Sequence, residues 1–467
     1  MRQGLSAWRF RETRAAMSSF STAPVRVRFA PSPTGLLHVG NLRVALANYL
    51  FARRHGGTFI LRFDDTDTAR GRAEYADGIV QDLRWAGLAW NESFAQSERL
   101  ARYTAAAEKL KAAGLLYPCF ESEEELRAKR EQALRRHAAP IYDRAMVRLT
   151  PEQRAAAEAN GKTPYWRFKL SGRTIEWTDL VLGHRQVKLT AVSDPVLIRA
   201  DGSFLYTFTS VVDDLETSIS HIIRGEDHIT NSGVQVDLMV ALGAAADGIA
   251  FAHLPLLTEA DGGKLSKRLD ALSLRSLARD GVEPVALTSY LARLGTADDP
   301  APMSLAELAA LFDFSRFSPS AARFDIGQVL ALNRRVLHAA AFAEVRERLP
   351  AGATEAFWHA VRGNLDLLSE ARGWWDVIAG TIVPPVVEGE AEFLRQAEQA
   401  LPAEPWDEAV WRHWTEALKE TTGRRGRALF HPLRLALTGE ERGPELAALL
   451  PLMGRARAAE RLRMAAA

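Results

Sequence analysis

The sequence holds a single cysteine, Cys119, in 467 residues, which excludes an intrachain disulfide framework and any thiolate-rich metal site. It has no apolar run near the roughly 20 residues that a membrane-spanning helix needs, so a soluble chain without a membrane partner is expected. Its formal net charge is only +1, which excludes a polyanion held by overall charge and leaves local patches to bind nucleic acid. Solenoid-period repeats and extended low-complexity tracts are absent as well. The lone thiol suits a reducing, cytoplasmic setting. What is present is ordinary globular composition, 47% hydrophobic and 25% charged, in a chain too long for one core, so two or three domains are expected.

Residues 1–24 are Arg-rich with Glu12 as the only acid. A disordered tail or a true start at Met17 accounts for them better than a transit peptide does. Val25, Val27 and Phe29 then alternate with Arg26 and Arg28, the period of a strand, until Pro31-Ser-Pro-Thr-Gly35 breaks it. Leu42, Leu46, Tyr49 and Leu50 take up a helical period that Gly56-Gly57 ends, and Thr58 to Phe63 reads as a second, buried strand. Strand, helix, strand implies a parallel sheet. From Glu121 to Asn160 the chain turns charged, Ala-rich and helical in spacing; from Tyr165 to Leu197 it turns β-rich, the mark of an insertion. The sheet resumes with a strand over Ile219 to Ile223, and beyond about Phe312 helical spacing dominates to the end.

Two segments carry chemistry. In Ala30-Pro-Ser-Pro-Thr-Gly-Leu-Leu-His38-Val-Gly40-Asn41 a strand gives way to a helix whose first amides and dipole favour phosphate, with His38 at the opening and Gly40 leaving the backbone open to a flat ligand. In Asp261-Gly-Gly-Lys264-Leu-Ser266-Lys267-Arg268 glycines confer mobility and three cations gather, as suits a loop that closes over a triphosphate. Singly, the first also reads as a helix start with an incidental histidine and the second as a plain basic loop. Together, in this order, they resemble the "HIGH" and "KMSKS" signatures of class I aminoacyl-tRNA synthetases. Arg28-Phe-Ala-Pro-Ser-Pro-Thr-Gly35, Ile60-Leu-Arg-Phe-Asp-Asp-Thr-Asp67, Gln96-Ser-Glu-Arg99, Tyr117-Pro-Cys-Phe120, Val212-Asp-Asp214 and Ile223-Arg-Gly-Glu-Asp-His228 narrow the resemblance to bacterial glutamyl-tRNA synthetases, and Gly423 to Arg434 is similar to that family's anticodon domain.

The resemblance implies an α/β fold: a Rossmann-type parallel-sheet catalytic domain with an α/β insertion, then an all-α anticodon-binding region. Its expected boundaries are 25–100 and 206–254 for the two catalytic halves, 101–205 for an acceptor-stem-binding insertion, 255–322 for a stem-contact region with the Lys-Leu-Ser-Lys-Arg loop, and 323–467 for the helical domain. The chemistry implied is ATP-dependent formation of glutamyl-adenylate, then transfer to the terminal ribose of tRNA-Glu, tRNA-Gln or both, by a cytoplasmic monomer. His38, Gly40, Lys264 and Lys267 are the catalytic candidates; with Asn41, Ser266 and Arg268 they would hold ATP and its Mg²⁺. Arg28, Ala30, Ser32, Asp64, Tyr206, Ser210 and Arg224 would bind glutamate, with the Arg28 fork on the side-chain carboxylate. Arg424, Arg425, Arg427 and Arg434 are candidates for tRNA phosphate contact.

Two departures from the family stand out. Asp64 occupies the place of a glutamate that holds the substrate ammonium, one methylene shorter. Where some members begin a zinc site with two cysteines one residue apart, this chain has Cys119-Phe-Glu-Ser, so no structural zinc is expected and Cys119 reads as a small buried side chain, His137 and His184 as surface residues. The rivals are a truncated paralogue that modifies a tRNA base, a glutaminyl-tRNA synthetase with C-terminal β-barrels, a small-molecule nucleotidylyltransferase and an inactive RNA-binding scaffold. The helical C-terminal third disfavours the first three, and the intact His38 and lysines the last.

Overall fold

The computed structural model describes residues 24–67, 71–259, 263 and 272–467. Lys264, Ser266, Lys267 and Arg268 lie outside the described residues, as does the segment 1–23. Strand β1 (Arg26–Phe29) leads into helix α1 (Val39–Arg54), strand β2 (Thr58–Phe63), helix α2 (Ala73–Trp85) and strand β3 (Glu92–Ala95), and the three strands pair in parallel, β2 between the others. Gly56, at φ 59, lets the chain turn out of α1. Helix α3 (Leu100–Ala112) then leads into the insertion.

The insertion holds strand β4 (Leu116–Cys119), helices α4 (Glu123–Arg135) and α5 (Pro151–Ala159), and strands β5 (Tyr165–Phe168), β6 (Thr174–Asp179), β7 (Gly183–Lys188) and β8 (Val196–Ile198). The helical stretch is divided in two because Pro140 sits in the extended segment between α4 and α5 and Pro151 is fitted only for a first helical turn. β4, β5 and β8 form an antiparallel sheet, and β6 and β7 a hairpin.

Helix α6 (Tyr206–Glu216), strand β9 (His221–Gly225), helix α7 (Ile229–Ala241) and strand β10 (Ala250–Leu254) complete the catalytic layer. β9 starts two residues later than its apolar run suggested, and pairs in parallel with β10. Ser220 stitches it to the other half: its N–H donates to Arg26 O at 3.0 Å, and Arg26 N–H donates to Ser220 Oγ at 2.8 Å. The strands thus run β3-β2-β1-β9-β10, with the order reversing between β1 and β9, where open α/β sheets bind ligands beyond their carboxyl ends. Val27, Leu42, Leu46, Leu50, Phe59 and Leu61 are all at most 1% exposed and make the core under that crevice.

The insertion does not stand apart. Leu180 N–H donates to Phe251 O of β10 at 2.9 Å, and Val187, Val234 and Phe251 share one core. Beyond residue 312 the chain is helical except for a short strand, Ala322–Phe324, which pairs in parallel with Leu257–Glu259. The C-terminal helices close around two further cores, one holding Trp414, Leu433 and Leu462, the other Phe357 and Trp358.

Candidate active site

His38 caps α1 with its own side chain. Gly40 N–H donates to His38 Nδ1 at 3.0 Å, and Asn41 Oδ1 accepts from His38 N–H at 3.2 Å, the reciprocal pattern of a capping box. Because Nδ1 is an acceptor here, the ring proton of the neutral imidazole sits on Nε2, a donor toward the crevice. Burial lowers the His38 pKa and favours that neutral form. Gly40 has a cause that the sequence did not show: a Cβ there would stand 2.9 Å from His38 Cε1, so glycine makes room for the histidine ring itself.

The chain on both sides of the Lys-Leu-Ser-Lys-Arg loop is fastened beside His38. On the far side, Leu274 N–H donates to Leu37 O at 3.0 Å and Val39 N–H to Leu272 O at 3.3 Å. On the near side, Arg43 Nη1 donates to Pro255 O at 2.5 Å and Leu256 N–H to Glu226 Oε1 at 2.8 Å. The segments that flank the loop in the chain, residues 255–256 and 272–274, are therefore neighbours of the α1 start.

Below them lies a buried charge cluster that sequence reasoning saw only in part. Arg28, at the end of β1, directs Nε and Nη2 at the two oxygens of Asp214, at 3.0 and 3.3 Å. The face of the guanidinium fork read as the receptor for a substrate carboxylate is thus already engaged within the chain. Arg62 Nη1 donates to Asp214 Oδ1 at 2.7 Å, and Arg62 Nε to Asp64 Oδ1 at 2.6 Å. Asp64 carries no local cap; it is one carboxylate of a fully buried network. Burial raises its pKa to about 6 against the fields of Arg62 and Arg28, with the Asp214 carboxylate adding to the rise. Asp65, by contrast, turns to the chain 32 residues on, accepting from Ser97 N–H at 2.8 Å. Arg62 and Asp214 were legible only as parts of the Ile60 to Asp67 and Val212-Asp-Asp214 motifs.

Arg224, at the end of β9, differs. It is 5% exposed, and its bonds go to neutral groups: Nη1 to Tyr206 Oη at 3.1 Å, and Nη2 to Ser232 Oγ and Gln235 Oε1, both at 2.6 Å. Its Nε has no hydrogen-bond partner, and no carboxylate among the described residues is within ion-pair distance. Burial lowers its pKa and Arg28 adds a like charge, together outweighing the opposing fields of Tyr206 and of Asp214, which is committed to Arg28 and Arg62. A buried cation without a counter-ion, next to a second guanidinium, is a place for an anion. Ser210 backs this group, accepting from Gln235 Nε2 at 2.8 Å. Ala30 and Ser32 follow β1 at the crevice, Ser32 exposed. Gln235 and Ser232 escaped the sequence reading because an apolar helix gives no sign of which polar residues face a strand end.

Among the described residues no group of three or more His, Cys, Asp and Glu is placed to hold a metal. Cys119 is buried, with Sγ 3.6 Å from Tyr142 Oη, which donates to Glu121 at 2.7 Å. His137 and His184 are exposed.

The C-terminal arginines divide by exposure. Arg424 is paired with Glu390 and lies over the Phe393 ring at 4.3 Å, and Arg434 donates to Pro444 O at 3.0 Å. Arg425 and Arg427 are exposed on either side of Gly426, at the start of helix Arg427–Thr438. Arg461, farther along the chain, is 2% exposed and donates to Leu437 O at 2.7 Å, so it belongs to the core. Trp375 also packs internally, edge-on to Phe357.

Comparison with known proteins matches this geometry to a family. The catalytic domain of class I tRNA synthetases (E and Q) matches residues 24–330, and an anticodon binding domain matches residues 386–466. The chain is 67% identical over 439 residues to glutamate–tRNA ligase 2 of Granulibacter bethesdensis, covering 94% of this chain and 98% of that protein. It is 62% identical over 442 residues to glutamate–tRNA ligase 2 of Gluconacetobacter diazotrophicus, covering 95% and 100%. The crystal structure of a glutamate tRNA ligase from Elizabethkingia meningosepticum in complex with its amino acid superposes with a TM-score of 0.81 at 27% identity, covering 95% of this chain and 99% of that one. With both domains matched and relatives aligned over nearly their full length, the chain belongs to the class I tRNA synthetases of the glutamate and glutamine type.

Proposed function

We propose that this synthetase is a glutamate–tRNA ligase of the cytoplasm and that the β1–β9 crevice is its amino-acid and ATP site. Arg224 is the observation that carries the reading: a buried guanidinium with only neutral partners is matched by a substrate carboxylate. Asp64, across the cluster, offers the opposite charge for the substrate ammonium, and Arg28 adds positive field beside Arg224.

In the first step the glutamate α-carboxylate attacks the α-phosphorus of ATP, giving glutamyl-adenylate and pyrophosphate. In the second, the terminal ribose hydroxyl of tRNA takes the acyl group and AMP leaves. Neither step needs an enzyme nucleophile; rate comes from alignment and from charge stabilisation on the phosphates. His38 supplies a neutral Nε2 donor fixed by its own helix cap. Lys264 and Lys267 bring positive charge from the loop whose ends are fastened beside it, and the triphosphate carries its own Mg²⁺.

Aminoacylation of tRNA-Glu and tRNA-Gln, each with labelled glutamate and with labelled glutamine, tests the reading. Glutamate should be charged onto tRNA-Glu, tRNA-Gln or both, and glutamine onto neither. Charging with glutamine, or no charging of either tRNA with glutamate, would remove it.

A further inference from the structure

Behind Arg224 the hydrogen bonds continue in a line. Arg224 Nη2 donates to Ser232 Oγ at 2.6 Å, Ser232 Oγ stands 2.7 Å from His253 Nε2, and His253 Nδ1 is 2.5 Å from Asp179 Oδ2. Ser232, His253 and Asp179 are all at most 3% exposed. Each member comes from a different element: β9, α7, β10 and, from the insertion, the end of β6.

Chemistry sets the direction of this line. Arginine is only a donor, so Ser232 Oγ accepts from it. Asp179 Oδ1 accepts the N–H groups of Val181, Leu182 and His253 at 3.0, 3.0 and 3.1 Å. Burial opposes ionisation of Asp179, yet the His253 ring and these amides prevail and hold its carboxyl below the usual range. An ionised Asp179 accepts from His253 Nδ1–H, the partnership that selects the tautomer in which Nε2 is an acceptor. The Ser232 hydrogen then turns to Nε2, and the oxygen lone pair faces the guanidinium. Without Nε2 the hydroxyl retains only His228 O, at 3.2 Å, for its hydrogen.

The order Ser, His, Asp is that of a hydrolase triad, but Ser232 is shut beneath Arg224, and no scissile carbonyl can reach it. We propose that Asp179 and His253 are positioning residues for Arg224, acting through Ser232, so that the insertion hairpin helps set the affinity of the crevice for glutamate. This rests on Arg224 being a glutamate contact.

The test is steady-state aminoacylation by the full-length enzyme, with KM measured separately for glutamate and ATP. His253→Asn keeps an amide where Nδ1 meets Asp179 and removes the acceptor at Nε2. It should raise the glutamate KM about tenfold, the size of a typical coupling between bonded side chains, and leave the ATP KM within about twofold. His253→Gln, whose amide reaches the Nε2 position, should lie closer to wild type. In an S232A background, which is itself impaired for glutamate, His253→Asn should add little. An unchanged glutamate KM in H253N, equal rises for glutamate and ATP, or a full additional loss in S232A would each overturn the proposal. S232A removes one buried oxygen from a helix, so an unchanged glutamate KM in that variant would overturn it even where H253N does not fold. An R224M enzyme with wild-type glutamate KM would instead remove the reading of Arg224 on which the proposal stands.

Discussion

Replacing Arg224 by methionine should separate binding from folding. In the free chain Arg224 makes three bonds to neutral groups, each contributing about 1.5–3 kcal/mol to a charged donor. Against them stands the burial of a guanidinium without a counter-ion, an effective cost of several kcal/mol. Methionine fills similar volume without charge, and two of the three former partners keep bonds elsewhere: Ser232 with His253, and Gln235 with Ser210. The two effects nearly cancel, so unfolding free energy should change by less than about 2 kcal/mol. Glutamate loses a buried charge-assisted contact, about 3–4 kcal/mol, or a factor of roughly 10²–10³ in affinity. Thermal unfolding with titrated glutamate reads both quantities. At 100 times the wild-type Kd, glutamate stabilises wild type by about 2.7 kcal/mol, whereas a variant bound 100-fold more weakly gains only about 0.4 kcal/mol at the same concentration. An R224M enzyme with the wild-type glutamate-dependent shift would refute the reasoning, as would one that loses 4 kcal/mol or more of intrinsic stability, by about the scale of a broken buried ion pair.

Arg28 should behave in the opposite way: its pair with Asp214 is buried on both sides, so Arg28→Ala should cost about 3–5 kcal/mol of catalytic-domain stability, read by urea unfolding without ligands. Asp64 carries a raised pKa of about 6, and kcat/KM for glutamate should fall as pH drops through that value because the ammonium loses its carboxylate; Asp64→Asn should flatten this limb of the profile. The sign differs for folding, since a carboxyl raised above its ordinary value favours the fold at low pH and loses that contribution as pH rises through about 6, so unfolding measured in parallel should show no Asp64-linked loss as pH is lowered past 6. Arg425→Ala with Arg427→Ala should weaken tRNA binding and shallow its salt dependence. Arg424→Ala should lower the stability of the C-terminal domain, where its Glu390 and Phe393 contacts lie, more than it changes the salt slope.

The sequence by itself determined whatever local covalent and helical rules decide. Alternation through Phe29, the Pro31 to Gly35 break and the Leu42, Leu46, Leu50 period suffice for β1, the turn and α1. His38 and the Lys264 to Arg268 segment were recognisable because their residues are contiguous. The substitution of aspartate at position 64 was visible as a departure for the same reason. What only the tertiary structure decided is the pairing of charges. Arg28 meets Asp214, 186 residues away. His253 meets Asp179, 74 residues away. Arg424 is spoken for by Glu390, 34 residues away, while the adjacent Arg425 is left exposed. An arginine reads the same in sequence whether it is neutralised within the fold or left for a ligand. Only folding brings the partner carboxylate up to it or, at Arg224, leaves that place to neutral oxygens, and burial makes the difference large enough to act on a substrate.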